Sequence, residues 1–275
     1  MVNWWLKMQI NNISISFGNN IVLDDISYDF SNRCSLLLGE NGSGKTTLFK
    51  ILGGIIKKYN GQISDINNSS LLLDEDCLFK YKTGEENINY FLNDVEINKA
   101  MEYVIYFSME GFIKNKVKTY SSGMKKKLSL VITLARNKEF VLLDEPTNSL
   151  DIGSIELLRG LLNKLKEDKH ILISSHDISI FDKNLIDDVL LLKNHKLSRI
   201  NKLLFDFNYY KVKTVKPILK IEYDFFISED YYIFKVNENQ YDDFLLKLGE
   251  YTIKELYPID YFDSLFLGDL YEKDI

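Results

Sequence analysis

The sequence predicts an α/β protein: apolar strands alternating with helices, an antiparallel start, an inserted helical stretch and a small α+β appendage at the C-terminal end. Three observations carry this. A glycine-rich loop, Gly39-Glu40-Asn41-Gly42-Ser43-Gly44-Lys45-Thr46-Thr47, joins the apolar run Cys34–Leu38 to Leu48-Phe49-Lys50-Ile51-Leu52, which opens a helix. Between Thr83 and Arg136 the apolar period becomes helical. Short apolar strands then return at Phe140–Leu143 and His170–Ser174, separated by the helical pattern Ile152–Leu165.

The elements follow in order. Met8–Phe17 alternates, with Ile13, Ile15 and Phe17 against Ser14 and Ser16, as a half-buried strand does. Gly18-Asn19-Asn20 is a turn, and Ile21–Phe30 alternates again. After the helix beginning at Lys45, Asn60-Gly61 reads as a turn, and Gln62–Ile66 and Ser69–Leu73 as short strands. Asn87–Leu92, Glu96–Phe107 and Gly123–Ala135 are the helices of the insert; Asp187–Leu192 and Lys196–Ile200 close the core. Beyond Asn201 the texture changes to aromatic alternation (Phe205, Phe207, Tyr209, Tyr210, then Tyr231, Tyr232, Phe234). There Tyr241–Leu248 reads as a helix, Tyr251–Tyr257 as a strand and Tyr261–Leu270 as a final helix.

Composition narrows the class. The 275 residues suit one large domain with an appendage, and 45% hydrophobic with 27% charged residues is a globular balance. A net charge of −6 argues against nucleic acid as a partner. The run Lys125-Lys126-Lys127 reads as a solvated helix face. Two cysteines, Cys34 and Cys77, make no disulfide framework, which points to an intracellular chain. No apolar run is long enough for a membrane span, and the first seven residues are too short for a signal peptide's apolar region.

The glycine-rich loop satisfies G-x-x-x-x-G-K-[ST] in the strand–loop–helix context that gives the motif its meaning, so the core is expected to be that of a P-loop NTPase. Glycines let successive N–H groups turn toward phosphate oxygens, and the helix N-terminus adds its dipole. Gly39, Asn41, Gly42, Ser43, Gly44, Lys45, Thr46 and Thr47 are thus the nucleotide-binding candidates. Lys45 would reach the terminal phosphates, and the Thr46 hydroxyl would hold Mg²⁺. A metal-binding acid is needed at a neighbouring strand end, and Phe140-Val141-Leu142-Leu143-Asp144-Glu145 supplies it. Asp144 is the metal candidate. Glu145 is placed to accept the proton of a water attacking the γ-phosphate. His176, after Ile171–Ser175, ends another strand at that edge and is the third catalytic candidate beside Glu145 and Lys45.

This order of elements resembles the nucleotide-binding subunit of ATP-binding cassette (ABC) transporters, over about residues 8 to 200. The discriminating piece is Tyr120-Ser121-Ser122-Gly123-Met124-Lys125-Lys126-Lys127, which resembles the family's L-S-G-G-Q signature. Ser121 and Gly123 match; Tyr120, Ser122 and Met124 depart. The resemblance implies an ABC ATPase domain over residues 1–200, with its helical subdomain at about 78–136, and residues 201–275 as the appendage. It implies that Ser121 and Gly123 contact the ATP of a second protomer, and that Asn148-Ser149-Leu150-Asp151 crosses that dimer interface. It places Phe17 where an aromatic stacks on adenine. It puts the glutamine that joins the two subdomains, a metal contact, at Asp74, with Glu75 and Asp76 as neighbouring alternatives. ATP and Mg²⁺ are the implied ligands. The implied partners are a polytopic membrane permease and a second ATPase protomer, identical or not, at the cytoplasmic face of the cell membrane. Leu78, Phe79 and Tyr81 are the implied apolar contacts to the permease. The C-terminal Tyr251–Leu270 resembles the tail of separately encoded exporter ATPases, which implies export of a peptide, antibiotic or lipid-like substrate. The alternative is a soluble ABC-type ATPase acting on ribosomes or DNA.

Overall fold

A computed structural model describes residues 8–64, 68–73, 77–175, 181, 184–200, 207–218, 221–223, 225–228 and 231–259. These fall into two compact units, one ending at Ser198 and one beginning at Arg199.

The first unit opens with β1 (Gln9–Phe17) and β2 (Asn20–Asp29), an antiparallel pair. β4 (Asn60–Ile63) joins the other edge of β1 to give the order β2-β1-β4. Asn60-Gly61, expected as a turn, instead begins this strand. Gly61 has φ 98°, and a Cβ there would lie 2.5 Å from the carbonyl oxygens of Asn11 and Asn12. The close approach of two backbones, not a reversal of the chain, is what demands the glycine.

The second sheet has six strands in the order β5-β6-β7-β3-β8-β9. They are β3 (Cys34–Leu38), β5 (Ser69–Leu72), β6 (Phe140–Leu143), β7 (His170–Ser174), β8 (Asp188–Lys193) and β9 (Lys196–Ile200). β5, β6, β7, β3 and β8 run parallel. The apolar runs within β3, β6, β7 and β8 follow from that, because a parallel sheet is covered on both faces. β8 and β9 are linked by Asn194-His195, both with positive φ (49° and 67°), as a two-residue type I′ hairpin requires. Helix α1 (Lys45–Leu52) shares a core with both sheets. Its Leu48, Phe49, Ile51 and Leu52 pack with Ile10, Ile13 and Leu23 of the first sheet and Leu37, Leu142, Leu172 and Leu190 of the second.

The helical insert contains α2 (Gly84–Phe91), α3 (Asp94–Tyr106) and α4 (Ser122–Ala135). α2 and α3 each begin with a capping box, Thr83 with Glu86 and Asn93 with Glu96. α2 therefore starts three residues before the expected Asn87: the polar Gly84-Glu85-Glu86 turn carries no apolar period but is fixed by its cap. Tyr120, buried ahead of α4, donates its hydroxyl to the Phe112 carbonyl at 2.8 Å. A Cβ on Gly84 would lie 2.5 Å from that phenol oxygen and 2.7 Å from Ile113 Cδ1. The aromatic departure from the signature pattern is thus seated by a glycine on another helix. α5 (Ile152–Leu165) lies between β6 and β7 in the chain.

The second unit is α+β. β10 (Phe207–Thr214), β11 (Phe225–Ser228), β12 (Tyr231–Asn237) and β13 (Ile253–Ile259) form an antiparallel sheet in the order β11-β12-β10-β13. α6 (Tyr241–Leu248) packs Phe244 and Leu248 against Tyr210, Val212, Phe234 and Val236. The expected helix Tyr261–Leu270 lies outside the described residues, as do Asp74 and His176.

Candidate functional site

Three neighbouring parallel strands, β6, β7 and β3, end at one sheet edge, and the site is built there. After β3 the chain turns through Gly42 (φ 85°) and Gly44 (φ 107°), the latter capping α1 in the left-handed region. Gly39 serves a different need: a Cβ would meet Ser43 Oγ at 2.6 Å and the Leu192 carbonyl at 2.8 Å. Lys45 is buried, and its Nζ donates to the carbonyls of Gly39 (2.5 Å) and Glu40 (3.1 Å). Burial pushes its pKa below the ordinary 10.5, with Glu145 and Asp144 opposing the shift.

β6 delivers Asp144 and Glu145 opposite this loop. Asp144 is 1% exposed. Its Oδ2 accepts from Thr46 Oγ1 at 2.7 Å and its Oδ1 from Ser174 Oγ at 2.6 Å. Ser174, from the end of β7, also accepts the Glu145 N–H at 2.9 Å. Glu145 sits at φ 46°. A non-glycine residue there costs about 1–2 kcal/mol, so neighbouring contacts must hold it. Its carbonyl accepts from Lys126 Nζ at 3.1 Å and from the Asn148 N–H at 3.3 Å.

Lys45, Thr46, Asp144 and Glu145 line one cavity of about 510 Å³ with Asn41, Gly42, Gly44, Thr47 and Phe17. Phe17, at the end of β1, is 53% exposed, so it presents a free ring at the rim and is not a core residue. The fit to a triphosphate is direct: Ser43 Oγ is buried with no hydrogen-bond partner inside the loop, a donor waiting for an acceptor. The Thr46 hydroxyl and Asp144 carboxylate form a hard oxygen pair suited to Mg²⁺. Among the described residues no group of three or more His, Cys, Asp or Glu is placed to hold a metal by itself. One protein carboxylate plus substrate phosphates is a common Mg²⁺ arrangement.

Ser121 is the N-cap of α4, its Oγ accepting the Met124 N–H at 3.2 Å. Gly123 is pressed on the acid loop: a Cβ would lie 2.7 Å from the Ser149 carbonyl. Asp151 caps α5 through Ser154, with N–H and hydroxyl both at 2.8 Å, and these bonds lower its pKa. Neither Ser121 nor Gly123 is among the residues lining the Lys45 cavity.

Sequence reasoning missed two residues. Ser174, which ties Asp144 to Glu145, could have been flagged as a polar residue at a parallel strand's carboxyl end. Lys126 was expected on a solvated face but is 7% exposed. It stands three residues after Gly123, on the side of α4 turned to the acid loop.

Beside the site, Leu71, Leu72, Cys77, Leu78, Phe91 and Ile132 line a second cavity of about 250 Å³ between sheet and helical insert. Leu78 is buried there, whereas Phe79 and Tyr81 are exposed, Tyr81 at 80%.

Comparison with known proteins decides the family. The ABC transporter family model matches residues 23–148. An ABC transporter ATP-binding protein of Methanocaldococcus jannaschii is 31% identical over 205 residues, covering 72% of this chain and 78% of the relative. The chain belongs to the ABC transporter ATP-binding family. It is thus an ATP-binding ATPase subunit of the class that drives transport. The zinc import ATP-binding protein ZnuC of Buchnera aphidicola is 34% identical over 195 residues (68% of this chain, 81% of the relative). The lantibiotic transport ATP-binding protein SrtF of Streptococcus pyogenes is 29% identical over 185 residues (62% and 81%). A second model, an AAA domain of the AbiEii toxin, type IV TA system, matches residues 116–182, the latter part of the ABC core. The solved structure of an ATP-binding subunit of an ABC transporter shares the fold with TM-score 0.65 at 21% identity, covering 70% of this chain and 89% of that one. Among the described residues of this ABC subunit, no helix is long and apolar enough to cross a membrane.

Proposed function

We propose that this chain hydrolyses ATP to power a separate polytopic permease at the cytoplasmic face of the membrane, in the direction of export, with a peptide, antibiotic or lipid-like cargo. The observation that carries the chemistry is the convergence of Lys45, Thr46, Asp144 and Glu145 on one cavity. Glu145 takes a proton from the attacking water as its oxygen bonds the γ-phosphorus and the bond to the leaving ADP oxygen breaks. Lys45 and the loop N–H groups stabilise charge on the transferring phosphoryl group, and His176 is the residue assigned to contact it. Mg²⁺, which Thr46 and Asp144 would hold with Asp74 as a third contact, would neutralise the phosphate oxygens. Phe17 stacks on adenine.

The working unit is a head-to-tail dimer, identical or mixed, in which Ser121 and Gly123 face the partner's ATP and Asp151 lies in the loop that crosses between protomers. The permease docks over the cavity beside Leu78, with Phe79 and Tyr81 as contacts. The lantibiotic transport relative and the C-terminal stretch favour export; the zinc import relative, of similar identity, favours uptake.

Two experiments test this. Glu145→Gln should bind ATP, turn over at a small fraction of the wild-type rate and accumulate as a dimer by size-exclusion chromatography. Near-normal turnover would remove the base assignment. Affinity purification from native cells in mild detergent should recover a polytopic membrane chain in stoichiometric amount. Ribosomal or DNA-repair proteins without it would favour a soluble ATPase instead.

A further inference from the structure

We infer that Lys126 is a positioning residue for hydrolysis, holding Glu145 in its catalytic conformation from the signature helix of the same protomer. The inference rests on the reading of Glu145 as the base. Glu145 occupies the left-handed region at φ 46° without being a glycine. Both of its backbone polar groups are held by side chains from distant elements. The N–H is bound by Ser174 Oγ of β7 at 2.9 Å, and the carbonyl by Lys126 Nζ of α4 at 3.1 Å. A strained residue persists only where its surroundings over-determine it, and these two side chains, with the Asn148 N–H, are among its determinants.

Lys126 does not act alone on its helix. Gly123, Lys126 and Lys127 share one face of α4 at i, i+3 and i+4. Gly123 rests on the Ser149 carbonyl, with 2.7 Å to an added Cβ. Lys126 bonds the Glu145 carbonyl, and Lys127 lies 3.7 Å from Asp151 Oδ2. The signature helix is thus fastened at three points along the acid loop of its own chain. Of the three, Lys126 is the 7% exposed side chain whose nitrogen reaches the base residue itself. The helix that meets the partner's nucleotide is therefore mechanically joined to the base serving this chain's nucleotide. A shift of α4 would be felt at Glu145 through the Lys126 hydrogen bond.

The test uses the full-length chain and compares Lys126→Met, which keeps the stem and loses the donor, with Lys126→Arg, which keeps a donor. Steady-state ATP hydrolysis, ATP affinity from a fluorescent nucleotide titration and the melting temperature are measured for each, with Glu145→Gln as reference. Lys126→Met should lower kcat on the order of ten- to a hundred-fold, as displacement of a catalytic group does, with KM and ATP affinity within about twofold. Lys126→Arg should recover most of that loss. If the methionine variant does not fold, Lys126→Gln is compared with Lys126→Arg in the same way. Wild-type kcat in Lys126→Met, or a raised KM at unchanged kcat, beside an inactive Glu145→Gln, overturns the inference alone. A Glu145→Gln variant that keeps turnover overturns the reading of the base, and this inference with it.

Discussion

The phosphate loop and the acid loop face the same cavity and are held in shape by opposite means. In the phosphate loop the unusual backbone belongs to glycines, Gly42 and Gly44, and close packing to Gly39, so shape is guaranteed by missing side chains. In the acid loop the unusual backbone belongs to Glu145 and Ser149, at φ 46° and 68°, and shape is imposed by side chains arriving from elsewhere. A loop that must wrap phosphates with its own N–H groups is best kept bare. A loop that must present two carboxylates cannot be bare, so it borrows its restraints from Ser174 and Lys126. Damage should therefore propagate differently: by crowding in the first loop, by unpairing in the second.

The largest expected effect breaks the ligand side of this comparison. Lys45→Ala should weaken ATP binding by about 1.5–3 kcal/mol, the range of a charge-assisted hydrogen bond, in an equilibrium titration. Unchanged affinity would mean that the backbone alone holds the phosphates. Next comes Ser174→Ala, which strips a donor from buried Asp144 and an acceptor from the Glu145 N–H. A loss of about 1–3 kcal/mol in urea unfolding is expected, against nearly none if the loop holds itself. A glycine pair sharpens the contrast further. Gly39→Ala crowds Ser43 and the Leu192 carbonyl, for about 2 kcal/mol. Gly42→Ala meets nothing within 4 Å and should show only its left-handed backbone strain, about 1 kcal/mol. Equal losses in the two would show that space is irrelevant in this loop.

The smallest effect is a pH slope. The folded-state pKa of Lys45 lies below its unfolded value, so the unfolded chain binds more protons in the interval under about 10.5. This group's contribution to stability thus rises with pH through that interval. Unfolding free energies of wild type and Lys45→Met between pH 7 and 10 should diverge accordingly, the slope being shallower in the variant.

The same contrast explains what could be read in the sequence. A motif carried by glycines and consecutive residues is written in order, so the phosphate loop, its strand and its helix were legible, as were Asp144 and Glu145 behind four apolar residues. Restraints imposed across the fold are not. Ser174 reaches Asp144 over a separation of 30 residues and Lys126 reaches Glu145 over 19, and neither spacing matches any local period. Lys126 was also hidden by its neighbours, since a run of three lysines averages out as a solvated face even when its middle member is buried. The start of α2 was missed for the complementary reason: apolar periodicity is blind to a polar first turn, although the Thr83–Glu86 spacing announces it. Gly61 misled because a close approach of strands and a turn ask for the same residue.

The seat of Tyr120 has a practical consequence for anyone exchanging segments between such subunits. Its phenol oxygen would lie 2.5 Å from the Cβ of any residue other than glycine at position 84. The stretch around Ser121 is therefore not a portable cassette. Transplanted into a relative that carries even an alanine at the matching helix start, the tyrosine would have to shift from this seat, and the start of α4 would be disturbed with it. Carrying Gly84 along with it is the minimum repair.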